Sequence, residues 1–448
     1  MSRGGRSQQL APVEEGEITG LSHDGAGVCR DGKTAFIDGA LPGERVRFQR
    51  HGRHRGHDDA RLLEVLRPSP ERVVPRCPHF GLCGGCALQH LDTAAQLALK
   101  QRELADALLR IGQTEPREWL PPLSGPAWNY RRRARLGAKY VRKKGRTLVG
   151  FRERSGPYVA DLAGCDILVP PVDRLIAPLA ALIEGLSIRE ALPQVEVAVG
   201  DAATLVMRVL EPPTTEDLAA FAAFEAQHGC RVLLQPGGLD TIRRLDGSPP
   251  EPLHYRLPRH GLEYEFLATD FVQINAAINE QLVDLALEQL GLEADAQVLD
   301  LFCGVGNFTL PIARRASAVV GVEGDAGLVE RARANARRNG LGNTAFHVAN
   351  LMDAEPGEPV WAKQRYSHVL LDPPRAGARE VLGLVARVAT RRIVYVSCHP
   401  GSLARDVGEL VQQHGWQLLR AGVIDMFPHT THVESIVVLE PGAARRRS

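Results

Sequence analysis

From about Gly261 onward, short apolar segments recur at the spacing of a wound sheet: QVLDLF, AVVGVE, HVLLD, RIVYVS and SIVVLE, separated by stretches long enough for helices. Strands buried on both faces read as apolar runs, and alternation with helices implies a parallel, doubly wound sheet. Ligands of such sheets gather at the carboxyl ends of the strands. The distinctive residues of this region all fall there.

The first strand runs into LDLFCGVGNFTL, where Gly304 and Gly306 form a tight loop ahead of a helix. A dinucleotide fingerprint would continue to a third glycine, but Thr309 stands at that position, which argues against a pyrophosphate. The second strand ends at Glu323, whose carboxylate can accept both hydroxyls of a ribose. With Asp300 on the first strand this is the layout of an S-adenosylmethionine site. Taken singly, Glu323 could be a helix cap and the glycines mere turn residues. A third end, HVLLDPPRAG, places Asp372 before Pro373 and Pro374, which together fix a rigid, extended backbone. Arg375 stands where methylation of an exocyclic amino group would call for an aromatic, so that chemistry is disfavoured.

The fourth end, RRIVYVSCHP, finishes on Cys398, with Pro400 and Gly401 favouring an exposed loop. Carbon-5 of uracil is a poor nucleophile, but a thiolate added at carbon-6 makes an enolate whose carbon-5 can attack a methyl sulfonium. A base must then remove the carbon-5 proton so that the thiol can be eliminated. Glu434, in FPHTTHVESIVVLE, is the candidate base, with His429 and His432 as competitors. The bland readings are an inert packed thiol for Cys398 and a strand-edge charge for Glu434.

The amino-terminal part follows other rules. Residues 1–10 are polar and expected to be disordered. From 11 to 70, short strand signals (GEITGLS, GAGVCR, TAFIDGALPGERVRFQR, ARLLEVLRP) predict a small β-barrel. Next comes RCPHFGLCGGCALQH, with Cys77, Cys83 and Cys86 at C-x5-C-x2-C spacing. Three thiolates so close can wrap one metal centre, and Cys165 is the candidate fourth ligand. Zinc is the competitor, although its structural sites usually draw ligands as two short pairs; this spacing favours a [4Fe-4S] cluster. Residues Asp92 to about Leu109 read as a helix with Leu97, Leu104, Leu108 and Leu109 near one face. VEVAVGDAATLVMRVL reads as a hairpin turning at Gly200 and Asp201, and LAAFAAFEAQ as a helix. Cys230 receives no role.

The formal net charge of +1 conceals a local excess: from Arg131 to Arg154, eleven Lys or Arg meet a single acid, Glu153. Interleaved apolar residues predict paired strands presenting one basic face, suited to a phosphate backbone. At 44% hydrophobic and 24% charged residues, with no apolar run of membrane-spanning length and no secretory signal, the chain reads as soluble and cytosolic. Eight cysteines over 448 residues are too few for a disulfide scaffold.

DFVQIN, LDLFCGVGNFTLPIA, LLDPPRAG, VYVSCHP and HTTHVES, in this order, resemble the RNA uracil-5-methyltransferase family, and the resemblance spans nearly the whole chain. The run HDGAGVCRDGKTAFIDGALPGERV resembles the TRAM domain, an OB-like RNA-binding barrel. The cysteine set resembles that of the family's ribosomal-RNA branch, whereas tRNA-directed members usually lack both barrel and cluster. The resemblance implies Cys398 as nucleophile and Glu434 as base. It implies Gln273, Phe302, Asn307, Glu323, Asn350 and Asp372 as cofactor-site residues, and Cys77, Cys83, Cys86 and Cys165 as cluster ligands. The expected architecture is a TRAM barrel (11–70), a central α/β iron–sulfur and RNA-binding domain (71–260) and a Rossmann-like methyltransferase domain (261–448), in a monomer acting on 23S rRNA. Alternatives are the same chemistry on tRNA or on another rRNA uridine, a catalytically silent RNA-binding assembly factor, and a radical enzyme. The last usually carries C-x3-C-x2-C instead.

Overall fold

A computed structural model describes residues 11–353 and 359–442. The tail expected to be disordered lies outside them. The chain divides into two compact units, the first comprising Met1–Gln96, Glu153–Gly156 and His429–Thr431, the second everything else.

In the first unit, strands β1 (Val13–Leu21), β2 (Gly27–Cys29), β3 (Ala35–Asp38), β4 (Arg45–Arg53) and β5 (Asp58–Arg67) form a closed barrel in the order β1-β2-β3-β5-β4. Ile18, Cys29, Ile37, Val46, Phe48 and Ala60 fill it. Gly16 is required by this filling, because a Cβ there would lie 2.5 Å from Cys29 Sγ. The buried Glu44 carboxylate fastens the following segment, accepting from the Leu41 and Ser69 amides and from Arg72. Burial opposes its charge, yet these donors hold its carboxyl below the ordinary range.

In the second unit, β7 (Arg133–Val141), β8 (Arg146–Gly150), β9 (Gln194–Val199), β10 (Ala203–Arg208), β11 (Cys230–Gln235) and β12 (Arg243–Arg244) form a six-stranded sheet. The expected hairpin is present as β9–β10. The expected helix spans Thr215–His228, opened by a capping box between Thr214 and Asp217 and closed by Gly229 at φ +60°. The helix Thr93–Arg110 also forms, with Leu104 and Leu108 buried. Leu109 is 52% exposed, since one residue's step along a helix carries it off the apolar face.

The basic stretch folds as the β7–β8 hairpin, but it is not one free cationic face. Arg132 is buried, Arg133 donates to the backbone carbonyls of Ala268 and Asp270, and Arg135, Arg142 and Arg146 pair with Glu196, Glu190 and Asp161. Lys139, Lys143 and Lys144 remain exposed.

The carboxy-terminal sheet contains β6 (Glu118–Trp119), β15 (Gln297–Leu301), β16 (Ala318–Glu323), β17 (Thr344–Val348), β18 (Tyr366–Leu371), β19 (Ala389–Ser397), β20 (Trp416–Ile424) and β21 (Glu434–Pro441). Their order is β17-β16-β15-β18-β19-β21-β20-β6. The first five neighbours in that order are parallel and doubly wound, as expected. The SIVVLE strand, β21, is not parallel: it inserts antiparallel between β19 and β20. A strand buried on both faces is an apolar run in either direction, so its sequence carries no polarity. The hairpin of β13 (Leu253–Leu257) and β14 (Leu262–Phe266) packs into the core on one side of this sheet, with Tyr255, Tyr264 and Phe266 buried.

Candidate functional site

Register brings the named residues to one edge. Leu301 on β15 pairs with Val322 of β16 and Leu371 of β18, so Phe302, Glu323 and Asp372 follow at adjacent strand ends. Leu371 pairs with Tyr395 of β19. On the other side of β19, Ser397 faces Ser435 in the antiparallel ladder. Antiparallel pairing puts the residue after Ser397 beside the residue before Ser435, and these are Cys398 and Glu434.

Cys398 is displayed by a sharp strand-to-helix turn. The Ser397 hydroxyl accepts the His399 N–H at 3.2 Å, and His399 Nδ1 caps helix Pro400–Gln412 by accepting the Ser402 N–H at 3.1 Å. His399 is therefore a cap, and the thiol between strand and cap is half-buried. Across from it the Asp372 loop is held by Asp406, whose carboxylate accepts the Ala378 N–H at 2.8 Å and the Tyr395 hydroxyl at 2.7 Å. Gly377, at φ +89°, lets the loop pass, since a Cβ there would lie 2.5 Å from that carboxylate.

Glu323 is preset by backbone donors, accepting from Gly304 at 3.1 Å, Gly324 at 2.6 Å and Asp325 at 3.1 Å. Phe302 stands at φ +64°, a left-handed conformation costly for a bulky residue and characteristic of functional turns. Gln273 donates to Asp372 at 3.4 Å. Asn307 belongs to a clamp: its amide exchanges two 2.9 Å bonds with Asn279, and its oxygen also accepts the Tyr255 hydroxyl. Asn350 lies at an exposed turn beyond β17, bonded to Asp353.

The other expected residues lie elsewhere. Cys77, Cys83 and Cys86 share one loop of the first unit, where the Gly85 N–H points at Cys83 Sγ at 3.4 Å. Cys165 is in the second unit, in a turn where its N–H meets the Asp173 carbonyl. His429 belongs to the first unit, its ring and N–H both bonded to Gln96, and His432 is exposed beside Phe427.

Several residues of the second unit have contacts or exposure that the motifs do not announce. Arg132 is a buried guanidinium that donates to the Gln273 carbonyl at 2.7 Å and stacks over Tyr255, 4.6 Å from its centroid. Lys100 is 1% exposed and bonds both Asp425 at 2.7 Å and the Phe427 carbonyl at 2.9 Å. Phe271, two residues before Gln273, is an aromatic left 66% exposed. That last signal was available, since DFVQIN puts an aromatic beside a polar residue at a domain junction. The partners of Arg132 and Lys100 are more than a hundred residues away in sequence, and no local pattern marks them.

The electrostatics are those of crowded, poorly solvated acids. Burial pushes Asp372 up to about 7 against the opposing Gln273 bond. Burial, with the neighbouring Asp372 and Glu323, raises Asp300 to about 7 despite its bond from Thr309. Glu434 is raised well above the carboxylate range by burial and by Asp372. Burial, Glu434 and Asp372 raise the Cys398 thiol to about 11, and Arg375 works the other way. Arg375, where an aromatic was conspicuously missing, is thus the cation that favours the thiolate.

Because the resting thiol is protonated, alkylation of Cys398 by iodoacetamide, followed on its own peptide by mass spectrometry, should rise about tenfold per pH unit from 7 to about 10. Arg375→Ala should slow it at every pH in that window. A pH-independent rate, or a faster variant, would contradict this field.

The family model described as tRNA (Uracil-5-)-methyltransferase matches residues 254–441. The 23S rRNA (uracil(1939)-C(5))-methyltransferase RlmD of Alkalilimnicola ehrlichii is 52% identical over 440 residues, 97% of this chain and 99% of that one. The protein of the same name from Stenotrophomonas maltophilia is 51% identical over 429 residues, covering 95% and 96%. Among solved structures, the Pyrococcus abyssi tRNA (uracil-54, C5)-methyltransferase in complex with S-adenosyl-L-homocysteine superposes with a TM-score of 0.73 at 25% identity. It covers 95% of this chain and 99% of that chain.

Proposed function

The chain belongs to the RNA uracil-5-methyltransferase family, and from this premise we propose that it makes 5-methyluridine in 23S rRNA, at the uridine its RlmD relatives are named for, with S-adenosylmethionine as methyl donor. The observation that carries the chemistry is the ladder that sets Cys398 beside Glu434 at the strand ends shared with Glu323 and Asp372.

Glu323, with its carboxylate fixed by three N–H groups, fits a ribose diol, and Phe302, Gln273, Asn307, Asn350 and Asp372 complete the proposed cofactor site. The bound donor supplies the methyl group and a positive charge that favours the ionised forms of Asp372, Glu434 and Cys398. The target base is extruded from its stack, and the exposed Phe271 offers it an aromatic face. Cys398, as thiolate, adds to carbon-6, and the ring electrons move to the carbon-4 carbonyl. Carbon-5 would then take the donor's methyl group, with the electron pair of the broken carbon–sulfur bond left on sulfur as a neutral thioether. Glu434 removes the carbon-5 proton, the carbon-5 to carbon-6 double bond re-forms, and the thiolate leaves. A carboxyl destabilised by burial is a stronger base once ionised, which suits Glu434. Glu434→Gln should therefore stall with RNA covalently attached, visible as a slow band on a denaturing gel; absence of any adduct would count against this role.

The barrel is read as a TRAM domain, and residues 11–70, 71–260 and 261–448 as the three domains. Cys77, Cys83 and Cys86 with Cys165 are the ligands proposed for a [4Fe-4S] cluster. The Gly85 N–H aimed at Cys83 Sγ fits a thiolate that accepts hydrogen bonds. The cluster would serve folding, RNA positioning or redox sensing, since no step above needs an electron. Iron and sulfide in anaerobically purified protein are the expected finding, and zinc in their place would overturn the cluster while leaving the methylation untouched.

The substrate class deserves its own test, because the Pyrococcus tRNA enzyme also covers the barrel region, so the barrel alone does not separate rRNA from tRNA enzymes. Identity does the separating, 52% against 25%. Tritium release from uridine labelled at carbon-5 should occur with 23S transcripts and not with a tRNA pool. Release from tRNA alone would overturn the substrate, and release from neither would overturn the chemistry.

A further inference from the structure

The tip of the β4–β5 hairpin carries a donor set that the methylation chemistry does not use. His54 and His57 flank a two-residue turn, Arg55–Gly56, closed by the His54 N–H to the His57 carbonyl at 3.0 Å. Their rings stack with centroids 4.5 Å apart and planes 19° apart, and Phe36 backs the His57 ring at 4.6 Å. Asp59 reaches up from β5, its Oδ2 2.9 Å from His54 Nε2 and its Oδ1 4.0 Å from His57 Nε2. One ligand atom from each of the three lies within 4.8 Å of the others.

The surrounding residues leave this trio available. Gly52 pairs with Asp59 across the strands, and a Cβ there would lie 2.9 Å from Asp59 Oδ2, so the glycine makes room for the carboxylate. Two nearby cations are held by the preceding residue instead: Asp58 binds Lys33 at 2.6 Å and Arg50 at 3.2 Å. Lys33 also bonds the His54 carbonyl, which braces the turn. Two imidazoles and one carboxylate converging from a braced turn form a borderline donor set suited to first-row divalent ions, with coordination positions left open. The three side chains are 36–49% exposed, so an ion enters directly from solvent.

We propose that His54, His57 and Asp59 bind one Zn2+ ion at the tip of the barrel hairpin, with the open positions filled by water or an oxyanion such as a phosphodiester. The site is independent of the cysteine set and of the methylation chemistry.

The test is zinc titration of full-length, 15N-histidine-labelled protein at pH 7.5, following the imidazole resonances, with bound metal counted after dialysis. In the wild type, two histidine signals assigned by substitution to His54 and His57 should move together and saturate at one equivalent. The His54→Ala/His57→Ala protein should hold one zinc equivalent fewer, as should Asp59→Asn, while thiolate-bound metal stays the same in all three. Equal metal in wild type and variants would overturn the site. So would signals that ignore zinc and move only on acidification, which would make the trio an imidazolium–carboxylate bridge.

Discussion

A Cys398→Ala protein is expected to lose 5-methyluridine formation by a factor on the order of 10^4 to 10^6, the scale on which removing a covalent nucleophile acts. The loss should fall on kcat. The thiol is half-buried, and Ser397, His399 and Ser402 hold the backbone of the turn. Folding and donor affinity should therefore survive, and equilibrium binding of S-adenosylmethionine checks this. Tritium exchange at carbon-5 should vanish as well, because without addition at carbon-6 the carbon-5 proton is never labilised. Methylation within tenfold of wild type would sink the covalent route and leave Cys398 as a packing residue. A lost activity accompanied by lost donor binding would instead assign the thiol to the cofactor pocket.

The paired strands make this prediction sharp, and only part of that pairing was legible in the sequence. The five apolar runs marked the strands, and Gly304, Glu323, Asp372 and Cys398 fell at strand ends because α/β chains carry their chemistry where a strand hands over to a loop. What the runs could not express was direction. SIVVLE runs antiparallel beside β19, and that reversal is what brings Glu434 to Cys398. A parallel strand there would have carried it to the opposite edge of the sheet. The basic segment shows a related limit. Charge is counted locally, but the carboxylates of Asp161, Glu190 and Glu196 that pair with it arrive from later segments. Asn307 shows the same limit, for its partner Asn279 lies on the preceding helix, Ala276–Leu290. The barrel was more legible, because each turn carries its own glycine or proline signal and the strands close among near neighbours.

Lys100 is where the cost of a long-range partner should be greatest. Its ammonium is buried and burial lowers its pKa, with Asp425 acting in the opposite direction. The Asp425–Lys100 pair and the second bond to the Phe427 carbonyl hold the chain leaving β20, before it returns as β21 with Glu434 at its start. Lys100→Met should cost about 3–5 kcal/mol, the usual penalty when one partner of a buried ion pair is removed and the other charge stays behind. Differential scanning calorimetry should show a lower transition temperature for this variant. Lys100→Met combined with Asp425→Leu leaves no orphaned charge and should recover most of that loss. Activity separates the two roles of the pair. If Lys100 also positions the segment that delivers Glu434, the double variant should regain stability but not kcat, and covalent adduct should accumulate as in Glu434→Gln. Recovery of both together would make the pair purely structural. A single variant as stable as wild type would mean that Asp425 finds another partner or solvent, and that the buried pair contributes nothing to holding this segment.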